Sequence, residues 1–91
     1  MVTSIVLLTV SRDRVNEIAE KLADLKGISE VYSIAGRYDL AVIIRAKDSE
    51  HLAEIVTHYM LKVQGIITSE TLVAFRVYSK HDLEGMFSLG M

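Results

Sequence analysis

Residues 34–46 read IAGRYDLAVIIRA, a small-residue turn followed by an apolar run that is interrupted only near its end. The pair Gly36 and Arg37 is typical of a tight turn, and the β-branched and apolar residues that follow are typical of a strand. A less apolar segment, ISEVYSIA, precedes the turn. We therefore predict a hairpin with strands over residues 28–35 and 38–47.

The segment before this hairpin predicts one strand and one helix. Residues 3–10 read TSIVLLTV, a continuous β-branched run of the kind that forms a buried strand. From Arg12 onward, apolar residues recur at three- and four-residue steps, which favours a helix. Ser11 is the expected N-cap of this helix and Gly27 its expected end.

The segment after the hairpin repeats the pattern. Asp48 or Ser49 is the expected cap of a second helix, and Gly65 ends the connection that follows it. Residues 67–79 read ITSETLVAFRVYS and predict the last strand. The side chains expected on the inner stripe of the second helix are Leu52, Ile55, Val56 and Tyr59.

The order strand, helix, strand, strand, helix, strand predicts an α+β fold, the ferredoxin-like βαββαβ sandwich. Two helices then cover one face of a four-stranded antiparallel sheet. The first and third strands are the more apolar, so we expect them at the centre of the sheet and the other two at its edges. We expect one domain over residues 1–79 and a C-terminal tail over residues 80–91, in which Met86 and Phe87 could anchor on a neighbour.

Both faces of this sheet are expected to be apolar. Alternate strand residues point to opposite sides, yet Ile5 and Leu7 on one side are as apolar as Val6 and Leu8 on the other. Two helices cover only one face, and 51% of the 91 residues are hydrophobic, more than one small core requires. We therefore expect a homodimer in which the sheets of two subunits pack together.

Composition argues against several classes of function. No apolar run approaches the roughly 20 residues that span a membrane, and the N-terminal segment lacks the features of a signal peptide. The formal net charge is -2 and the basic residues are scattered, which disfavours direct binding of nucleic acid. The chain has no cysteine, which fits a reducing compartment, and we expect it in the cytoplasm.

Two motifs carry a resemblance to a known family. GRYDLAVIIRA begins at Gly36, and GIITSETLVAF begins at Gly65. Their order and spacing resemble the ligand-binding domain of the Lrp/AsnC (leucine-responsive, or feast-famine) transcriptional regulators, also called the RAM domain. In that family a G-x-x-D turn opens the third strand, here Gly36 with Asp39, and a glycine with a T-x-T-like segment opens the fourth. The resemblance covers essentially the whole chain.

The resemblance implies a small-molecule sensor that assembles. Full-length members carry an N-terminal helix-turn-helix domain, whereas this chain opens on its first strand and so resembles a stand-alone RAM protein. The family implies sheet-packed dimers that form rings of four or five dimers, an octamer or decamer, with an amino acid bound between dimers. A full-length Lrp/AsnC regulator is a candidate partner. We therefore expect a role in transcriptional or metabolic regulation, exerted through other proteins.

A receptor for an amino acid must match a zwitterion. It needs hydrogen-bond donors for the carboxylate and an anion or acceptor for the ammonium. The glycine turn supplies backbone N–H groups, and Asp39 supplies the anion. With the resemblance, this chemistry predicts a ligand site formed by Gly36, Arg37, Tyr38, Asp39, Leu40, Ser69, Thr71 and Val73.

Several alternatives stay open. Gly36 and Asp39 suit turns for purely local reasons, and a lone turn residue such as Arg37 is more often simply solvated. The chain could be a ligand-free assembly module that joins a full-length regulator, or a small dimeric monooxygenase of ferredoxin-like fold. Because no catalytic motif is present, we expect no enzyme activity and no cofactor.

A weak metal-site pattern lies on the second helix. His51, Glu54 and His58 share one stripe at three- and four-residue steps. Exposed helices carry such residues routinely, and the sequence places no convincing further ligand. We therefore expect no bound metal.

Overall fold

A computed structural model describes residues 1–78 and contains one four-stranded sheet and two helical segments. The strands are β1 Val2–Val10, β2 Ile28–Ser33, β3 Leu40–Ala46 and β4 Ile66–Val73. Helix α1, Val15–Ala23, follows a 3-10 turn at Arg12–Arg14. Helix α2, Ser49–Glu54, continues as a π-helix over Ile55–Tyr59 and a 3-10 turn over Met60–Lys62. None of these helices is long and apolar enough to cross a membrane.

The sheet order is β2-β3-β1-β4, with every neighbouring pair antiparallel. This order confirms the ferredoxin-like βαββαβ fold and places the apolar first and third strands at the centre, as predicted. In the register, Leu8 of β1 lies between Leu40 of β3 and Ser69 of β4. Directly paired residues share a face, so this row fixes which side chains meet the helices.

The core lies between the helices and alternate residues of the central strands. Its buried side chains are Val6, Leu8, Val10, Ile18, Leu22, Leu40, Val42, Ile44, Ala46, Leu52, Ile55 and Met60. The prediction that Tyr59 faces the core is wrong, because Tyr59 is 49% exposed while Met60 is fully buried. A π-helix has more residues per turn than an α-helix, so it rotates the residues that follow and brings Met60 inward.

The two helical segments pack closely against two glycines of the loops that precede β2 and β4. A Cβ at Gly65, just before β4, would come within 2.5 Å of the Cδ1 atom of Ile18 in α1. A Cβ at Gly27, just before β2, would overlap the Cδ1 atom of Ile55, at the end of α2. Helix α1, in the first half of the chain, therefore packs against the glycine before β4, and the segment that follows α2, in the second half, packs against the glycine before β2.

The two helical segments begin differently. Asp48 caps α2 as expected, since its Oδ1 atom accepts the backbone N–H of His51 at 2.8 Å, a bond typically worth about 1 kcal/mol. Ser11 precedes the first helical turn, but its side chain makes no capping hydrogen bond. Its backbone N–H instead donates to the carbonyl of Gly65 at 2.8 Å, which joins the end of β1 to the start of β4.

Strand β4 ends at Val73, earlier than the predicted end at Ser79. The backbone N–H of Ala74 still donates to the carbonyl of Thr3 at 2.9 Å, close to the first residue of β1. The strand pairing stops here, one residue before a bend at Phe75. Ser79 and the predicted tail over residues 80–91, with Met86 and Phe87, lie outside the described residues.

The sheet face away from the helices is apolar at its centre. Ile5 of β1 lies between Ile43 of β3 and Leu72 of β4, which forms an apolar row across three strands. Ile5 is 37% exposed and Leu72 is 44% exposed. We call this surface, with Leu7 and Tyr32, the open face. Its composition agrees with the predicted pattern, and the second subunit that would cover it stays a prediction.

Ser4 provides a test of the core. Its hydroxyl is buried without a hydrogen-bond partner among residues 1–78, an arrangement that typically destabilises a protein by about 1–3 kcal/mol. We expect Ser4→Ala to keep or raise the free energy of unfolding in urea. We expect Leu8→Ala, a change to a fully buried residue on the same face of β1, to lower it by about 2–5 kcal/mol. A clear loss of stability in Ser4→Ala would contradict this description of the hydroxyl.

Candidate ligand site

The turn between β2 and β3 is exposed and closed by one backbone hydrogen bond. The N–H of Ile34 donates to the carbonyl of Asp39 at 2.9 Å. Gly36 has a φ of +122°, which side-chain-bearing residues rarely adopt, and no described atom lies near the position of its missing Cβ. Within residues 1–78, the N–H groups of Gly36, Arg37 and Tyr38 have no acceptor. Three donors in this turn are thus available to an anion.

Asp39 joins this turn to the end of β1. Its backbone N–H donates to the carbonyl of Leu8 at 2.8 Å, and its Oδ2 atom accepts the N–H of Val10 at 2.9 Å. The pairing of β1 with β4 shifts register between Thr9 and Val10. The carboxylate supplies an acceptor at this irregularity, so Asp39 has a structural role. Its Oδ1 atom accepts no hydrogen bond from the described residues.

Tyr38 reaches from the same turn to β4. Its hydroxyl donates to the Oε1 atom of Glu70 at 2.6 Å. Glu70 pairs with Leu7 of β1, and Leu7 belongs to the open face. Because β1 lies between β3 and β4, this hydrogen bond crosses over β1 on the side away from the helices.

Two threonines lie beside this bridge. The hydroxyls of Thr9 and Thr68 are 2.5 Å apart, and the Thr9 oxygen also accepts the backbone N–H of Thr68 at 3.1 Å. Together with the turn residues they form one group of two carboxylates and three hydroxyls at the edge of the open face. We call this group the polar corner, and it consists of Thr9, Tyr38, Asp39, Thr68 and Glu70.

The β4 residues predicted to bind ligand lie on the other face of the strand. Ser69 and Thr71 pair with Leu8 and Val6, which point toward the helices. They are nevertheless exposed, as is Val73, because β4 is an edge strand that the helices do not cover. The structure therefore brings the predicted turn residues together with Thr68 and Glu70, and it does not bring them together with Ser69, Thr71 and Val73 within one chain.

The remaining predicted residues differ in accessibility. Leu40 is fully buried and packs in the core. In this chain it therefore anchors the end of the turn to the core and is not accessible to a ligand. Arg37 is exposed, as the solvated alternative requires. The residues that sequence reasoning left out of the site are Thr9, Thr68 and Glu70. Strand parity could have found the last two, because they alternate with Ser69 and Thr71, but only if the register with β1 were known.

The helical layer carries two cavities of its own. One of about 570 Å³ lies beside the start of α2, and one of about 330 Å³ lies between the end of α1 and α2. His51 and Glu54 line both cavities. The Nδ1 atom of His51 accepts the backbone N–H of Lys47 at 3.0 Å, so it helps to close the first turn of α2. Among residues 1–78 no group of three metal-binding side chains is close enough to hold an ion.

Hydrogen bonding to carboxylates shifts the pKa of two tyrosines. The bond to Glu70, with some desolvation and the charge of Glu70, raises the pKa of Tyr38, and the positive charge of Arg37 opposes this shift. The bond from Tyr32 to Glu30, 2.7 Å long, raises the pKa of Tyr32 in the same way. In both cases the carboxylate stabilises the protonated phenol, so each bond is present at neutral pH and is lost as the pH rises through the pKa of the folded state.

Comparison with known proteins gives consistent matches. A family model described as the Lrp/AsnC ligand binding domain matches residues 3–83. TTHA0845 from Thermus thermophilus is 41% identical, with a TM-score of 0.81 over 88% of this chain and 100% of that one. The feast or famine regulatory protein Rv3291c from M. tuberculosis is 13% identical, with a TM-score of 0.74 over 88% of this chain and 54% of that one, which shows a common fold.

A curated relative is longer than this chain. The uncharacterised HTH-type transcriptional regulator PH1916 from Pyrococcus horikoshii is 34% identical over 59 residues, which is 65% of this chain and 39% of that protein. The chain thus spans about two fifths of the length of this regulator.

The tyrosine bridge can be tested by phenol titration. We expect Glu70→Gln to lower the pKa of Tyr38 toward its ordinary value, because the neutral amide no longer favours the protonated phenol. Absorbance of the phenolate near 295 nm, followed across roughly pH 9–12, measures the change. The matched control is Glu30→Gln, which should alter Tyr32 and leave Tyr38 unchanged; Tyr38→Phe identifies the Tyr38 signal. An unchanged Tyr38 titration in Glu70→Gln would show that the bridge does not persist in solution.

Proposed function

Because the chain belongs to the Lrp/AsnC ligand-binding domain family, we propose that it binds an amino acid at the polar corner and assembles through its open face. The observation that carries the proposal is that hydrogen-bond donors and negatively charged acceptors lie together at one edge of the sheet. Backbone N–H groups of the turn that have no acceptor within residues 1–78 lie next to two carboxylates and three hydroxyls.

The polar corner matches both ends of a zwitterion. The N–H groups of Gly36, Arg37 and Tyr38 would hold the α-carboxylate, as backbone donors do in anion-binding turns. The Oδ1 atom of Asp39 and the carboxylate of Glu70 would accept the α-ammonium, and charge-assisted bonds of this type are about twice as strong as neutral ones. An uncharged or purely anionic ligand would leave the carboxylates without a cation. The site is therefore expected to require the ammonium group.

Two proteins of the same fold support this ligand class. Rv3291c from M. tuberculosis and NMB0573 from Neisseria meningitidis were both solved with L-methionine. Those complexes concern those proteins, and their likeness to this chain lies in the fold. They show that the architecture accommodates a free amino acid, which is the class that the polar corner would select.

The open face provides the assembly surface. A sheet-to-sheet homodimer would cover Ile5, Ile43 and Leu72, and dimers would join into a ring, an octamer or decamer. The polar corner lies at the edge of the open face, so a ligand bound there would contact one arrangement of subunits better than another. Such a ligand shifts assembly by its differential affinity for the two arrangements.

The proposed role is regulatory and not catalytic. PH1916, described above, is a transcriptional regulator, and the polar corner contains no histidine or cysteine that could pair as nucleophile and base. We propose that the protein acts in the cytoplasm on transcription or metabolism through other proteins, with a full-length Lrp/AsnC regulator as the candidate partner. Direct contact with DNA or with a membrane is not part of the proposal.

One observation favours a second candidate function. The carboxylate of Asp39 already binds the N–H of Val10, as a purely structural residue would. If that is its whole role, the chain is a ligand-free assembly module that joins a full-length regulator. The two functions differ in whether any amino acid binds at the polar corner.

Asp39 variants separate these functions. Asp39→Asn keeps an oxygen for the N–H of Val10 but removes the charge, so we expect normal stability and loss of amino-acid binding. Asp39→Ala also removes the acceptor and should lower the free energy of unfolding by about 1–3 kcal/mol. The measurement is the thermal unfolding midpoint of each variant against the twenty amino acids, since a bound ligand raises that midpoint.

Asp24→Asn serves as the matched control, because Asp24 is an exposed carboxylate at the end of α1, where it lines a cavity with His51 and Glu54 of α2. It should respond to amino acids like the parent chain. A midpoint that still rises in Asp39→Asn would remove the polar corner as the site. If no amino acid raises the midpoint of the parent chain although it forms a large oligomer, the assembly module is the better description.

Two adjacent residues test the assembly surface. Leu72 lies on the open face, and Val73 lies on the opposite face of the same strand. We expect Leu72→Asp to dissociate the dimer into folded monomers, because it places an unpaired charge in the apolar interface. Val73→Asp, at a residue that is 57% exposed, should leave the dimer intact. Sedimentation velocity measures the mass of both, and an intact dimer in Leu72→Asp would contradict the proposed interface.

A further inference from the structure

Residues 74–78, which we call the arm, follow β4 and leave the regular sheet, with a bend at Phe75. The hydrogen bond from Ala74 to the carbonyl of Thr3 is the last backbone bond between the arm and the sheet in the described part of the chain. The arm lies beside the first residues of the chain, since Met1 and Thr3 line one cavity with Ala74, Phe75, Arg76 and Val77. After Ala74, no backbone hydrogen bond joins the arm to β1 within residues 1–78.

The arm is also apolar. Phe75 is fully exposed, Val77 is 56% exposed and Tyr78 is 82% exposed. An aromatic side chain of this kind can bury about 150–250 Å², and contiguous exposed apolar groups mark an interaction surface. Arg76 is the only charged residue of the arm. These properties favour a partner with an apolar, weakly charged surface.

The position of the arm next to the open face favours one kind of partner. Leu72, two residues before the arm, belongs to the open face, so the arm continues the same edge strand that borders the apolar row through Ile5. A second copy of the chain offers an apolar surface of this composition, its own open face. In a two-fold dimer each contact is made twice, so both arms would be covered by one arrangement.

We propose that the arm reaches across to a second copy of this chain and buries Phe75 against that copy's open face. The inference rests on the proposed sheet-to-sheet dimer and extends it, because the sheets alone would leave the arms uncovered. The arm then stabilises the dimer through contacts at the edge of the sheet-to-sheet interface. Removing Phe75 would weaken the dimer without disturbing the fold of either subunit.

The first test compares two exposed aromatic residues. We expect Phe75→Ser to raise the dissociation constant of the dimer at least tenfold, measured by sedimentation equilibrium over a dilution series. Tyr59→Ser is the matched control, since Tyr59 is 49% exposed but lies on the helical layer, and it should change the constant less than twofold. An unchanged constant in Phe75→Ser, with dissociation in Leu72→Asp, would overturn the arm while leaving the dimer interface in place. An intact dimer in Leu72→Asp would instead overturn the interface itself.

The second test uses the absence of cysteine from the chain. A tagged copy carrying Phe75→Cys is mixed with an untagged copy carrying Ile5→Cys and treated with a short bismaleimide. We expect a covalent product with the mass of one tagged and one untagged copy, and no such product when Tyr59→Cys replaces Phe75→Cys. A third chain that carries both Phe75→Cys and Ile5→Cys is treated in parallel at high dilution. Cross-linking within this single chain, together with failure to form the mixed product, would show that the arm folds back on its own subunit.

Discussion

The close approach of two isoleucines to two glycines holds the two halves of the fold together. Ile18 of α1 packs on Gly65 in the second half of the chain, and Ile55 packs on Gly27 in the first half. The carbonyls of the same glycines accept hydrogen bonds from Ser11 and from Arg45, at 2.8 and 3.0 Å. Because a side chain at either glycine would push a helix outward, these contacts set the depth at which both helices lie on the sheet. They confine the helices to one face and leave the other open.

That constraint also explains where the polar corner lies. With the helices on one face, Leu8 and Leu40 pack into the core, and the turn before β3 lies against the end of β1. The register shift after Thr9 leaves the N–H of Val10 in need of an acceptor, and Asp39 supplies it. A residue already fixed by two backbone contacts with β1 has little conformational freedom left to lose on binding a ligand. The structural role of Asp39 and its proposed binding role are therefore compatible.

Features that follow from local pattern could be predicted from the sequence, and features that depend on register could not. The hairpin, the central position of the apolar strands and the cap at Asp48 all follow from residue types and their spacing. Helical periodicity with 3.6 residues per turn predicts that Tyr59 faces the core, and the π-helix breaks this periodicity. The sequence predicts a ligand site that the turn residues share with Ser69 and Thr71, and that site stays a prediction; within one chain the structure brings the turn residues to Thr68 and Glu70. A shift of one residue in the pairing register moves every side chain of a strand to the opposite face of the sheet. No local sequence pattern determines that register.

The pairing of β1 with β4 has a consequence for the time course of folding. β1 opens the described chain and β4 closes it, so their contact joins residues that are far apart in sequence and requires the closure of a long loop. Contacts of this kind lower folding rates. Since the hydroxyl pair of Thr9 with Thr68 and the bridge from Tyr38 to Glu70 both require this contact, a chain with β4 undocked has no complete polar corner. An amino acid that binds there would slow the detachment of β4 and protect the edge of the sheet from local opening.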